Sequence, residues 1–223
     1  MFRRTKILLG DKIEKLFKAN VIVFGVGGVG GYVTEMLVRS GVGNITIVDF
    51  DVVDISNKNR QIIALDSTIG KPKVEVMRDR LVDINKECKV TMFNEKLTPE
   101  NIESFELEKY DYVIDAIDMV TSKLALIKYC YDKNIPIISA MGAGNRVGTP
   151  KFEIADIYKT YNDGLAKVMR SNLKKLGVNK HKVCFTSDIA TPNGDTIGSI
   201  AYYPAMCGCA LSSFVIEELI GGE

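Results

Sequence analysis

The chain has 223 residues, enough for one α/β domain with a sizeable core. Hydrophobic residues make up 46% and charged residues 26%, which excludes disorder as the dominant state. Lys plus Arg number 29 against 28 Asp plus Glu; with a formal charge of +1, any nucleic-acid partner must be met by a local patch rather than by bulk charge. The five cysteines, at 88, 130, 184, 207 and 209, include no C-x-x-C pair. That argues against a zinc site or a disulfide framework and for a reducing compartment. The basic start MFRRTKILLG soon meets Asp11 and Lys12, and no apolar run approaches a membrane span. A cytoplasmic protein with no membrane partner is expected.

In chain order, residues 21–24 read as a buried strand before a Gly-rich turn. Residues 32–40 read as a helix, with Val33, Met36 and Leu37 at helical spacing and Gly41 as its stop. A second strand is expected at 45–48. Pro72 opens a long helix with Val76, Leu81 and Ile84 on its inner side. Strands follow at 89–93 and 112–114, a helix at 124–131 and a fifth strand at 135–139. After residue 140 the pattern changes. Gly142, Gly144 and Gly148 mark turns, 151–155, 182–186 and 196–201 read as strands, and 162–176 as a polar helix. The stretch 205–220 is an apolar helix suited to burial or to a subunit interface. Buried strands alternating with helices predict an α/β fold: a Rossmann-like, mostly parallel, doubly wound sheet with a C-terminal mixed extension, in a single domain over 1–223.

The segment VIVFGVGGVGGYV places Gly25, Gly27, Gly28 and Gly30 between a strand and a helix, where glycine lets the backbone approach a phosphate. Asp49, about 20 residues on, stands where a carboxylate accepts from ribose hydroxyls. This set says adenine nucleotide and leaves NAD, FAD and ATP open. Three further groups separate them. DISNKNRQ supplies Asn57, Asn59, Arg60 and Gln61; GKPK supplies Lys71 and Lys73; DAIDMV supplies Asp115 and Asp118. All follow expected strand ends, where such sheets bind ligands. Together they exceed what a pyrophosphate needs and suit a triphosphate with Mg²⁺, with an Asp holding the metal.

In sequence, FGVGGVG, VDFDVVDISNKNRQ, GKPKVE and DAID make the chain resemble the ThiF/MoeB/HesA superfamily, bacterial relatives of ubiquitin-activating enzymes, over essentially its whole length. The resemblance implies ATP-dependent adenylation of a carboxylate. It puts Gly28 on the phosphates, Asp49 on the ribose, Asn57 and Arg60 on the triphosphate, Lys73 on phosphate and Asp118 on Mg²⁺. The opening FRRTKILLG matches the segment whose Arg completes a neighbouring subunit's site, which nominates Arg4 and implies a homodimer. The form N-x-NRQ, with DAID-x-V-x-x-K and MGAGNRVGTPKFEIADIYKT, is similar to the tRNA threonylcarbamoyladenosine dehydratase branch. That branch acts on tRNA carrying threonylcarbamoyladenosine and closes the activated side chain into a ring. Activation of a small sulfur-carrier protein is the alternative within the superfamily, and sulfur-transfer proteins are candidate partners.

The densest basic stretch, Lys167, Arg170, Lys174, Lys175, Lys180, His181 and Lys182, is a candidate tRNA grip or simply a solvated face. His181, the single His, reads as a phosphate or surface residue. Cys207 and Cys209 read as buried hydrophobes before catalytic thiols. Asn145 and Arg146 are candidates for lining a substrate pocket.

Overall fold

The computed structural model describes residues 1–191 and 196–221. Two short helices come first, α1 (Arg3–Leu9) and α2 (Ile13–Lys18). The sequence reading misses both: α1 buries nothing and α2 only Ile13 and Leu16, so neither shows a periodic apolar face.

The chain then alternates β1 (Asn20–Phe24), α3 (Gly30–Ser40), β2 (Asn44–Val48), α4 (Lys73–Ile84), β3 (Lys89–Phe93), β4 (Tyr112–Asp115), α5 (Val120–Lys133) and β5 (Ile137–Ala140). It continues with β6 (Phe152–Asp156), α6 (Gly164–Lys175), β7 (Lys182–Thr186) and α7 (Tyr202–Ile220). The seven strands form one sheet in the order β3-β2-β1-β4-β5-β7-β6. All neighbours are parallel except β6 with β7. The α/β expectation with a mixed C-terminal extension is therefore met.

Helices cover both faces because the central strands are apolar on both. Val33 and Leu37 of α3, Met77 and Leu81 of α4, and Leu211 and Val215 of α7 pack with Val21, Ile45 and Ile47 on one side. Leu126 of α5 joins Ile22, Phe24 and Phe105 on the other, with Met169 and Leu173 of α6 in a neighbouring cluster. The order reverses between β1 and β4, whose ends meet in register as Phe24 beside Asp115. Ligands bind such sheets at this crevice.

Three expectations need correction. Residues 196–201 form no strand; they lead as coil and turn into α7, which starts at Tyr202 rather than at 205. The inner face of α4 is Val74, Met77 and Leu81, with Val76 and Ile84 only half-buried. Among the described residues, α7 is the one helix long and apolar enough to cross a membrane, against the expectation of none. Its apolar face packs on α3 and the sheet, with Tyr203, Cys207, Leu211 and Val215 fully buried.

Candidate active site

The glycine turn is shaped by contacts that no side chain would survive. Gly25 sits at φ +88°, and a Cβ there would stand 2.7 Å from the Ala116 carbonyl oxygen. A Cβ on Gly30 would stand 1.7 Å from the Gly25 oxygen. The turn is thus folded on itself and against the segment after β4. It leaves the N–H groups of Gly27, Gly28 and Val29 donating to nothing among the described residues. The start of α3 has no side-chain cap and no acid in its first turn. Unpaired amides plus the positive end of a helix make an anion cradle.

The acidic partner is braced beside it. Asp49 accepts from Val26 N–H at 2.8 Å through Oδ2 and from Asp51 N–H at 2.9 Å through Oδ1. Burial raises its pKa, and those two N–H donors with nearby Lys73 work against the rise. The excursion from β2 to α4 closes through a bridge between Val52 and Pro72 and through Lys73 N–H to the Asp51 carbonyl at 2.9 Å. Closure brings the buried Lys73 Nζ to Asp51 Oδ2 at 2.8 Å. An ammonium has three donors, so this pair leaves two for a ligand.

The NKNRQ segment completes this wall. The Asn57 side chain receives Asp54 N–H at 3.0 Å in a capping box that sets the short turn. The Arg60 stem passes 3.6 Å from where a Cβ of Gly28 would be, and its guanidinium donates to the Ser56 carbonyl and the Asn59 side chain, each at 2.9 Å. Gln61 Oε1 is the buried side-chain polar atom without a partner among the described residues, and its amide nitrogen lies 3.7 Å from the Cβ position of Gly27. The Gln61 amide nitrogen thus stands as a donor beside the glycine turn.

The two aspartates after β4 separate in role. Asp118 is exposed on the segment whose residues 116 and 117 touch Gly25. No described group of three His, Cys, Asp or Glu could hold a metal by itself. A single carboxylate beside a phosphate cradle nevertheless suits Mg²⁺, which takes most of its ligands from water and phosphate. Asp115 is fully buried, pairing with Lys123 Nζ at 2.7 Å and accepting from Ile117 N–H at 3.1 Å. It is a structural group that fixes the turn to Asp118. Lys123 carries no expectation of its own; the spacing DAID-x-V-x-x-K, eight residues from Asp115, is the signal that held it.

The expected surface role of His181 does not hold. Its ring is buried with Nε2 2.8 Å from Ser139 Oγ, and burial, aided by the charge of Lys123, pulls its pKa down to about 3. Arg170 is half-buried against Thr160, and Lys182 pairs with Glu218 at 3.3 Å, so both leave the basic stretch. Arg146 is 6% exposed and donates to the carbonyls of Gly142, Gly144, Asn162 and Asp188. It ties the loop after β5 to two other segments. Cys207 is buried with its Sγ 3.8 Å from Cys184 Sγ, and that neighbour and burial push its pKa up, which keeps it protonated and unreactive. Arg4 is exposed on α1; Phe2 packs at Gly41, the end of α3 remote from the glycine turn. Arg4 therefore does not meet the cradle of its own chain.

A mostly parallel sheet with an anion cradle at the switch point, an acid after the second strand and a carboxylate after the fourth defines a nucleotide-binding α/β protein. The ThiF family model matches residues 3–221, and the chain belongs to the ThiF family. It is 47% identical over 239 aligned residues to tRNA threonylcarbamoyladenosine dehydratase of Bacillus subtilis, covering 98% of this chain and 94% of that protein. It is 43% identical to the Escherichia coli protein of that name over 174 residues, which cover 78% of this chain and 65% of the relative. The structure of E. coli tRNA N6-threonylcarbamoyladenosine dehydratase in complex with ATP aligns with a TM-score of 0.92 at 35% identity, over 98% of this chain and 93% of that one.

Proposed function

We propose that the chain is an ATP-dependent carboxylate-adenylating enzyme that dehydrates threonylcarbamoyladenosine in tRNA to its cyclic form. The observation that carries this reading is the uncapped start of α3, with amides at Gly27, Gly28 and Val29 free among the described residues, opening beside the Arg60 stem and against the segment that leads to Asp118. Kinship with the dehydratases supplies the substrate.

The substrate carboxylate attacks the α-phosphorus of ATP, pyrophosphate leaves, and a nucleophile already on the substrate displaces AMP to close the ring. No enzymic acyl acceptor is needed; of the two thiols expected to be buried, Cys207 is and Cys209 is exposed. The residues hold and neutralise. Gly25, Gly27, Gly28 and Gly30 shape the cradle, and the amides from Gly27 to Val29 donate to phosphate oxygens. Asp49 accepts from the ribose on lone pairs that Val26 and Asp51 leave free. Asn57, Arg60 and Lys73 face the triphosphate, where Lys73 shares its ammonium between Asp51 and phosphate. Asp118 would hold Mg²⁺, whose chemistry is to offset charge that develops on the phosphoryl oxygens.

The reading extends to a cytoplasmic homodimer in which Arg4 completes the partner's site. Ile7 at 78% and Leu8 at 83% exposure on the same short helix support a second copy as their cover. Sulfur-transfer proteins are proposed as further partners.

The test is mass spectrometry of nucleosides from the tRNA of a strain lacking this protein. Loss of the cyclic nucleoside with the open form retained is expected. An unchanged nucleoside profile, together with adenylation of a sulfur-carrier protein by the purified chain, would sink the reading.

A further inference from the structure

The cations of α3, α4 and α5 are answered by carboxylates, whereas those of the short α1 and α2 have no carboxylate partner among the described residues. Lys128 meets Asp132 and Lys133 meets Glu108 on α5, while Arg78 meets Asp79 and Arg80 meets Glu35 on α4. Helix α6 (GLAKVMRSNLKK) has no acid at all. Residues 159–182 hold seven Lys or Arg and one carboxylate, Asp163, which is buried and occupied by Ala166 N–H and Gly142 N–H, each at 2.9 Å. Lys159, Lys167, Lys174, Lys175 and Lys180 are exposed and have no ion-pair partner among the described residues.

The helix is oriented by its apolar face. Ala166, Met169 and Leu173 are buried, which turns Lys167, Ser171, Lys174 and Lys175 to solvent in one row along the axis. From Lys167 to Lys175 the row is about 12 Å long. Its first turn is fastened to the loop after β5, since Asp163 accepts from Gly142 and Arg146 donates to the Asn162 carbonyl at 3.0 Å. The row therefore starts at the rim of the loop after β5 and leads away from it. Such a row of unneutralised ammonium groups attracts a chain of phosphates, because each phosphate it meets releases a counterion.

We propose that the lysine row of α6, continued by Lys159 and Lys180, is the surface on which the phosphate backbone of the substrate tRNA lies. This rests on the tRNA reading given above. The contacts position the RNA without reading its sequence.

The experiment uses the full chain and tRNA isolated from a strain lacking the enzyme. It compares wild type, a combined Lys167→Gln/Lys174→Gln/Lys175→Gln variant, and a Lys86→Gln/Lys89→Gln control at the β3 edge. Affinity is measured across salt concentrations, alongside ATP affinity and AMP formation. The triple variant is expected to bind tRNA roughly ten- to a hundredfold more weakly, with the slope of log affinity against log salt flattened by about 2–3. ATP affinity stays at the wild-type value, and the control matches wild type throughout. Wild-type affinity and slope in the triple variant overturn the proposal and leave the row to an acidic protein partner. Failure of the enzymatic reading is a separate result: the wild-type chain itself then forms no AMP with this tRNA.

Discussion

Around the start of α3, Asn57 and Arg60 bind near neighbours in sequence, Asp54, Ser56 and Asn59, while Asp49 holds Val26 as well as Asp51 and Asn59 donates to the Ser199 carbonyl. Across the loops after β5 and β7 the bonds run long. Arg146 gathers carbonyls from three segments, and Asp188 Oδ2 accepts from Tyr203, Lys151 and Thr186. The first region combines local turns with a few long links, and it keeps unpaired amides at Gly27, Gly28 and Val29 among the described residues. The second is stiff only once distant pieces have met, and its polar groups face one another.

The contrast can be broken by substitution. The largest effect is expected at the buried pair between the two regions. Lys123→Met leaves Asp115 charged and alone, which costs about 3–5 kcal/mol in denaturant unfolding. Adding Asp115→Leu should recover most of that, and a double variant as unstable as the single one would remove the pair's structural role. Next, Asp118→Ala should lower AMP formation by about 10²–10³-fold with unfolding unchanged, because an exposed residue contributes little to packing. Unchanged turnover would count decisively against this site. Arg146→Lys comes third. An ammonium cannot span four carbonyls in a fork, so stability falls by about 1–3 kcal/mol. Faster proteolysis in the loops of 141–151 and 187–191 with intact ATP affinity would sharpen the division; equal loss of ATP affinity would erase it.

The smallest effect is a pH slope. His181 is neutral in the fold, with its pKa near 3, but takes up a proton in the unfolded chain below about 6.5. Between those values the unfolded state binds more protons, so stability falls as pH drops, by at most about 1.4 kcal/mol per unit from this group. His181→Gln should flatten the slope between pH 6.5 and 4; an unaltered slope would assign it to other groups.

The same contrast explains what was legible in the sequence. Strands 89–93 and 182–186 are found residue for residue, because short apolar or alternating runs between turns have one reading. Of the candidate site residues, the glycine turn, Asp49 and Lys73 were readable as neighbours because they follow the ends of adjacent strands. Residues 196–201 carry β-branched side chains but lack a strand to pair with, so local preference misleads there. His181 stands among lysines in sequence, yet its ring turns inward to Ser139, a contact between β5 and the start of β7 that no local pattern announces. Lys123 and Arg146 are charged residues taken into the interior, and only their distant partners make that tolerable.

Gly208 of α7 would push a Cβ to 2.7 Å from the Val29 carbonyl oxygen, and Pro204 lies 3.3 Å from the Cβ position of Gly28. The backing of the phosphate cradle is thus laid by the final helix, more than a hundred and seventy residues downstream in synthesis. A ribosome making this chain emits the glycine turn early and its support late. A nascent protein lacking the last helix should hold a sheet without a competent nucleotide pocket, so that ATP capture becomes the closing event of folding.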